Sequence, residues 1–235
     1  ASLSNSGTVS LLGTAAGSSL TVNGAYVGNN GTLRVGAALN AAGPSDRLVL
    51  DGAGASASGR TTVQVTNLGG LGALTTGAGI EVVAARNGAT TTAQTTRDAF
   101  VLAGGHVDAG AYEYQLQAAD QNGAGESWYL RSHSSVVIDP TAPPKPTPDV
   151  VAQEAPRYRA EVPMFAALPA QLRQADLAML GNLHRRVGDD DARVPGVEIG
   201  ERRAWARLIG ADLDVRQEGT VSQSSNGHLQ GLQAG

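Results

Sequence analysis

The sequence has no cysteine, which excludes disulfides, thiolate metal sites and thiol nucleophiles together. Aromatic residues make up 4% and charged residues 16% of the 235 positions. A net charge of −4 provides no basic field to hold a phosphate backbone, so nucleic acid is not an expected partner. No apolar run reaches the ~18 residues of a membrane-spanning helix. The opening "ASLSNSGTVS" has neither the basic nor the apolar region of a signal peptide, so any export signal is expected upstream or already removed.

What the sequence does have is glycine, at 31 positions, among Ala, Thr, Ser, Asn and Val. Gly supplies turn conformations, and Val and Thr suit a pleated surface. Short apolar pairs recur at Val9/Leu11, Leu20/Val22, Leu33/Val35, Leu48/Leu50 and Val63/Val65, with intervals of 11, 13, 15 and 15 residues. Each pair has the i, i+2 spacing that puts both side chains on one face of a strand. Clusters such as "GNNGT", "NAAGPSD" and "DGAGASASG" separate them as turns. Short strands at this spacing build either an antiparallel sandwich or a solenoid. Polar turns, small residues and few aromatics favour a parallel β-helix, since a sandwich core packs more large rings.

Four zones are expected. Residues 1–67 form the β-helix stem. Residues 68–138 form a β cap, because a solenoid whose last coil is bare invites edge-to-edge aggregation. In the cap, "AYEYQLQA" alternates and "SWYLRS" is its partner across "DQNGAGE", with Tyr112, Tyr114, Leu116, Trp128 and Leu130 as covering residues. Residues 139–157 are a linker in which Pro140, Pro143, Pro144, Pro146 and Pro148 impose extended backbone. Residues 158–235 hold a helix and a hairpin. The helix starts with Pro169 at its first position, carries Leu168, Leu172, Ala175, Met179 and Leu183 on one stripe, places Arg185 and Arg186 in its last turn and stops at Gly188. At roughly 28 Å it is close to a bilayer core in length, and its polar face suits a polar pore rather than lipid. The strand "RAWARLIGADLDVRQEGT" alternates Trp205, Arg207, Ile209, Ala211, Leu213 and Val215 with a second face that includes Gly210. A turn around "SSNG" precedes a second strand, "HLQGLQAG". Two strands alone are marginal in water and cannot stand open in lipid, so the hairpin is expected to be the start of a closed sheet whose other strands are absent here.

Chemical sites are sparse. His106, His133, His184 and His228 show no ligand spacing and are expected as surface polar residues. Asp189, Asp190 and Asp191 lack a Ca²⁺-loop pattern, and "GGLGALTTG" lacks both the phosphate-loop signature and its strand–helix setting. Asp46, Asp51, Asp98 and Asp108 are candidates for paired carboxylates on a glycan-cleaving solenoid, although aspartates in turns have a simpler structural use. No metal or cofactor is expected.

The run "YRAEVPMFAALPAQLRQADLAMLGNLHRRVGD", then "RAWARLIGADLDVRQEGTVS" and "GLQAG", closely resembles the junction of pertactin-like bacterial autotransporters, the type V secretion proteins of Gram-negative outer membranes. "LVLDGAGASASGRTTVQVTNLGG" and "AYEYQLQAADQNGAGESWYLRS" resemble the end of the family's passenger with its autochaperone region. The resemblance implies a right-handed parallel β-helix stem, a capping segment that helps the passenger fold, a helix threaded through a pore, and the first strands of a translocator barrel. In that barrel Arg207 would face the lumen. It further implies export through the periplasm to the outer membrane and cell surface. The implied partners are an upstream passenger, the remaining barrel strands, periplasmic chaperones and the outer-membrane assembly machinery. The function so implied is non-enzymatic support of secretion, folding and display. A secreted polysaccharide-acting enzyme and an adhesin stem are the alternatives.

Overall fold

The structure is a computed structural model that describes residues 2–93, 97–134, 155–180, 206–216, 221 and 224–234. The chain divides into two compact units, residues 1–159 and 160–235.

The first unit is a parallel β-helix closed by antiparallel strands. In one sheet, β1 (Leu3–Asn5) and β2 (Thr8–Ser10) both pair in parallel with β4 (Ala25–Ala37), β4 pairs with β6 (Ser56–Asn67), and β6 pairs with β8 (Phe100–Leu102). In the other, β3 (Ser19–Val22), β5 (Arg47–Asp51) and β7 (Ile80–Arg86) run parallel. Each turn of the coil therefore feeds both sheets. Val9, Leu33, Val63 and Leu102 stack in the first sheet, and Leu20, Leu48 and Val83 stack in the second. The apolar pairs of the sequence thus belong alternately to the two sheets, and their spacing measures half a coil. From Leu33 to Val83 these stacked residues are fully buried, and they share one core.

One turn expectation changes in this unit. "GNNGT" is not a turn, because β4 runs through it. The strand accommodates it with Asn30 at φ 58° and a register shift against β6 between Asn29 and Gly31. Beside it Gly28 pairs with Gly59. Gly59 lies at φ 71°, and a side chain there would run into the Gly28 carbonyl, so glycine is required by both conformation and space.

At the far end, β7 pairs with β11 (Trp128–Arg131), β11 with β10 (Tyr112–Ala118), and β10 with β9 (Val107–Ala109), all antiparallel. "AYEYQLQA" and "SWYLRS" meet in the register Leu116 to Leu130 and Ala118 to Trp128. Residues 155–159 lie along this cap. β12 (His133–Ser134) pairs with β13 (Ala155–Pro156), Glu113 N–H donates to Arg157 O at 3.1 Å and Arg159 N–H to Ala111 O at 3.1 Å, and the Tyr112 and Tyr158 rings lie 5.3 Å apart. The same pairing covers His133, which is 2% exposed and not the surface residue that its sequence setting suggests. His106 and His228 are exposed, beside Asp108 and Asp212. His184 lies outside the described residues.

In the second unit α1 (Val162–Leu180) packs with β14 (Ala206–Arg216). The helix begins seven positions before Pro169, which stands inside it. Pro163 takes the first-turn place, where a missing N–H costs little. The expected Leu stripe is not the covered face, since Leu168 and Leu172 are exposed while small Ala167 is buried. Met179 lies in the last turn of α1. Leu183, Arg185, Arg186, Gly188 and Trp205 fall outside the described residues. β14 pairs without interruption with β15 (Ser224–Ala234), from Ala206 opposite Ala234 to Arg216 opposite Ser224. "SSNG" therefore lies in the second strand, because β14 continues far enough to pair with it. Arg207 stands opposite Gln233 and Gly210 opposite Gln230. Ile209 is buried, whereas Leu208 and its cross-strand partner Leu232 are exposed.

Candidate functional site: the cap and its clasp

The cap adds large aromatics to the core and gives the polar edges of Trp128 and Tyr114 partners drawn from loops between the strands. Trp128 is buried with its ring edge-on to Phe100, centroids 5.4 Å apart, and Phe100 stacks on Tyr26 at 5.8 Å. On the β6 rung beside Tyr26 stands only Ala57, which leaves room for this column. Trp128 Nε1–H donates to Thr91 Oγ1 at 2.9 Å, and Thr91 Oγ1 in turn donates to Glu126 O. The Glu126 carboxylate accepts from the Thr91 and Thr92 amides at 2.6 Å each and from Thr92 Oγ1 at 2.8 Å. Burial acts to raise the Glu126 carboxyl, but these hydrogen bonds, helped by the charge of Arg97, hold it below its ordinary value.

Tyr114 is fully buried. Its hydroxyl accepts from Ala73 N–H at 2.9 Å and donates to Ala73 O at 2.8 Å. Burial pushes the phenol up, with the bond to Ala73 opposing. Ser132 and Thr75 interlock: Thr75 N–H donates to Ser132 Oγ at 2.8 Å, Ser132 N–H donates to Thr75 Oγ1 at 3.1 Å, and Ser132 Oγ donates to Ala73 O at 2.9 Å. Arg131, 5% exposed, gives Nε–H to Ala78 O at 2.7 Å and an Nη1 proton to Gln117 Oε1 at 3.0 Å. Residues 68–79, the segment "LGGLGALTTGAG" and its neighbours, are thus a clasp over the cap. Its glycines serve close approach, since Gly72 at φ 80° lies against the Ala109 carbonyl.

Of the expected cap residues, Tyr114, Trp128 and Leu130 are buried, while Tyr112 and Leu116 are partly buried against the same core. Sequence reading missed Ala73, Thr75, Thr91, Glu126, Arg131 and Ser132. No local pattern marks them, because their contacts span 12 to 59 positions. On the stem, Glu81 is clamped by Arg86 at 2.6 Å with Arg47 at 3.6 Å. Burial acts to raise its carboxyl, and Arg86, Ser127 and Arg47 outweigh that and lower it.

Of the candidate catalytic aspartates, Asp46, Asp51 and Asp108 each have separate structural partners. Asp46 is fully buried and accepts from the amides of Gly17, Ser18 and Gly36 at 2.9, 2.8 and 2.7 Å, a staple between two coils. Asp51 holds Asn87 at 2.6 Å, and Asp108 faces His106 and Arg159. Among the described residues no cluster of three or more His, Cys, Asp or Glu is placed to hold a metal ion.

The model of the type 1 autochaperone domain matches residues 2–116, the coil stack and the first strands of its cap. Over nearly its whole length the chain is similar to autotransporters, with the autochaperone region in the matched stretch. It is similar to the adhesin BmaC autotransporter of Brucella suis biovar 1, 33% identical over 94% of this chain and 6% of that protein. It is also similar to the probable autotransporter YfaL of Escherichia coli K12, 42% identical over 61% of this chain and 10% of YfaL. With the uncharacterized protein YdeU of the same strain it shares 34% identity over 91% of this chain and 44% of YdeU. The chain therefore spans less than half the length of these curated relatives. β11 with Trp128 lies beyond the stretch that the family model matches.

Proposed function

We propose that this autotransporter segment supports the secretion, folding and display of a passenger at the outer membrane and surface of a Gram-negative bacterium, without enzymatic activity of its own. The cap forms early outside the cell, and coils of the stem then stack onto it. Each coil buries Leu and Val side chains worth about 1.5–3 kcal/mol apiece, which opposes sliding back. The observation that carries this reading is the pairing of β11 with β7, which covers the edge of the second sheet with a strand whose Trp128 anchors the aromatic column. The second unit contributes the pore helix and barrel strands: β14 and β15 pair with each other, and their outer edges take further strands of a translocator barrel. The partners are then the upstream passenger, the rest of the barrel, periplasmic chaperones and the outer-membrane assembly machinery. Dispersed carboxylates speak for a non-enzymatic role, and the adhesin name of a relative for adhesion by the whole passenger.

The test is refolding of the purified chain after denaturation. Trp128→Ala is expected to slow refolding strongly, and the exposed Gln64→Ala is expected to leave it unchanged. Equal refolding rates for the two variants would remove the cap from its starting role.

A further inference from the structure

Four amides in the clasp serve two directions, the outer pair one way and the inner pair the other. Gly72 N–H donates to Leu39 O and Thr76 N–H to Ala41 O, each at 2.9 Å. These acceptors lie in the loop between β4 and β5. Ala73 N–H and Thr75 N–H donate the other way, to Tyr114 Oη and Ser132 Oγ of the cap. The clasp itself comes from the next coil, between β6 and β7. It is fixed at its start by Asn67, whose side chain bonds both the N–H and the carbonyl of Gly70, and which also accepts the Leu39 amide at 3.2 Å. The Tyr114 hydroxyl lies 3.5 Å from Asn40 O, so it touches both levels.

We propose that this clasp is a folding relay. The cap fixes Ala73 and Thr75, and the backbone so ordered presents Gly72 and Thr76 as donors that set the loop at residues 39–41 and hence the coil carrying β4 and β5. A chain segment without regular structure has many conformations to lose. Two side-chain anchors, Tyr114 and Ser132, remove most of that freedom before the preceding coil arrives, so the coil meets donors already in place. The carbonyl at Ala73, which accepts from both Tyr114 and Ser132, lies between the two amides that face the cap and fixes that peptide. The relay rests on the reading that the cap orders first.

Pulsed hydrogen exchange during refolding of the full chain, read by NMR, separates the steps, because adjacent amides report on different partners. Amides of β10 and β11 gain protection first, Ala73 and Thr75 next, and Gly72 and Thr76 after them. If β10 and β11 are protected last, the cap-first reading itself falls. If they are first but Gly72 and Thr76 are protected before or together with Ala73 and Thr75, the relay alone is overturned. Tyr114→Phe supplies a second readout. It keeps the buried ring and removes the hydroxyl, so protection at Gly72 and Thr76 is delayed about fivefold, the loss of about one hydrogen bond, while β10 and β11 keep their rate. An unchanged rate at Gly72 and Thr76 in that variant would sink the relay.

Discussion

In the coils, Val9, Leu33, Val63 and Leu102 lie one above another, and backbone pairing and aliphatic contact join most of each level to the next, with the Asp46 staple and the Tyr26 hydroxyl as polar additions. In the cap, Trp128, Tyr114, Ser132 and Arg131 each bury a polar atom that is matched by a loop far away in sequence. The stem is therefore largely modular, since most of what a level asks of its neighbour is a strand of suitable pattern. The cap is specific, since a buried donor left without its acceptor costs about 1–3 kcal/mol. That difference assigns the two regions different kinetic roles. A specific contact selects one arrangement at the start, and modular contacts extend it.

The largest expected effect comes from Trp128→Ala, which removes the ring from Phe100 and the donor from Thr91. Loss of about 3–5 kcal/mol is expected in chemical denaturation, most of it as slower refolding. Leu33→Ala in the stem loses about 2–5 kcal/mol, but here chevron analysis should show faster unfolding with little change in the folding limb. If both variants partition alike between the two limbs, the contrast between cap and stem disappears. Tyr114→Phe is next, at about 1–2 kcal/mol, and its loss should be non-additive with Ser132→Ala in a double-mutant cycle, since both side chains bond Ala73.

The acid response sharpens the comparison further. Glu126 in the cap and Glu81 on the stem are both held below the ordinary glutamate range. A carboxylate lowered on folding stabilises fully above its unfolded value of about 4.3, and that contribution is lost as pH falls through the lower folded value. Glu126→Gln should therefore cost about 1 kcal/mol near neutral pH, with the gap to wild type closing as the solution is acidified below about pH 4. A constant gap down to pH 2 would mean that the carboxylate charge is irrelevant to the loop. The smallest effect is expected for Gln64→Ala on the exposed face of β6, within about 0.5 kcal/mol by thermal melting.

Strand identity was legible wherever a local period carries it. The i, i+2 pairs from Val9 to Val65 lie in or beside strands, and "AYEYQLQA" with "SWYLRS" forms the antiparallel pair that their alternation implies. Local signals misled where a longer-range contact prevailed. The Asn and Gly of "GNNGT" signal a turn, yet pairing on both sides of β4 keeps the chain extended. Pro169 signals a helix start, yet Pro163 already fills that place. His133 looks like a surface residue, yet β13 covers it.

The amino-acid order alone determined which residues alternate, which depends on neighbours two positions apart, and that disulfides are excluded, which depends on composition. Only the tertiary structure decided that consecutive pairs belong to different sheets, that Asp46 is a staple, and that Ala73 and Thr91 complete the cap. Such contacts arise when the coil returns to the same place after 24 to 39 residues, as it does from Val9 to Leu33 and from Val63 to Leu102. Loop length, which sequence periodicity does not record, sets which groups then meet.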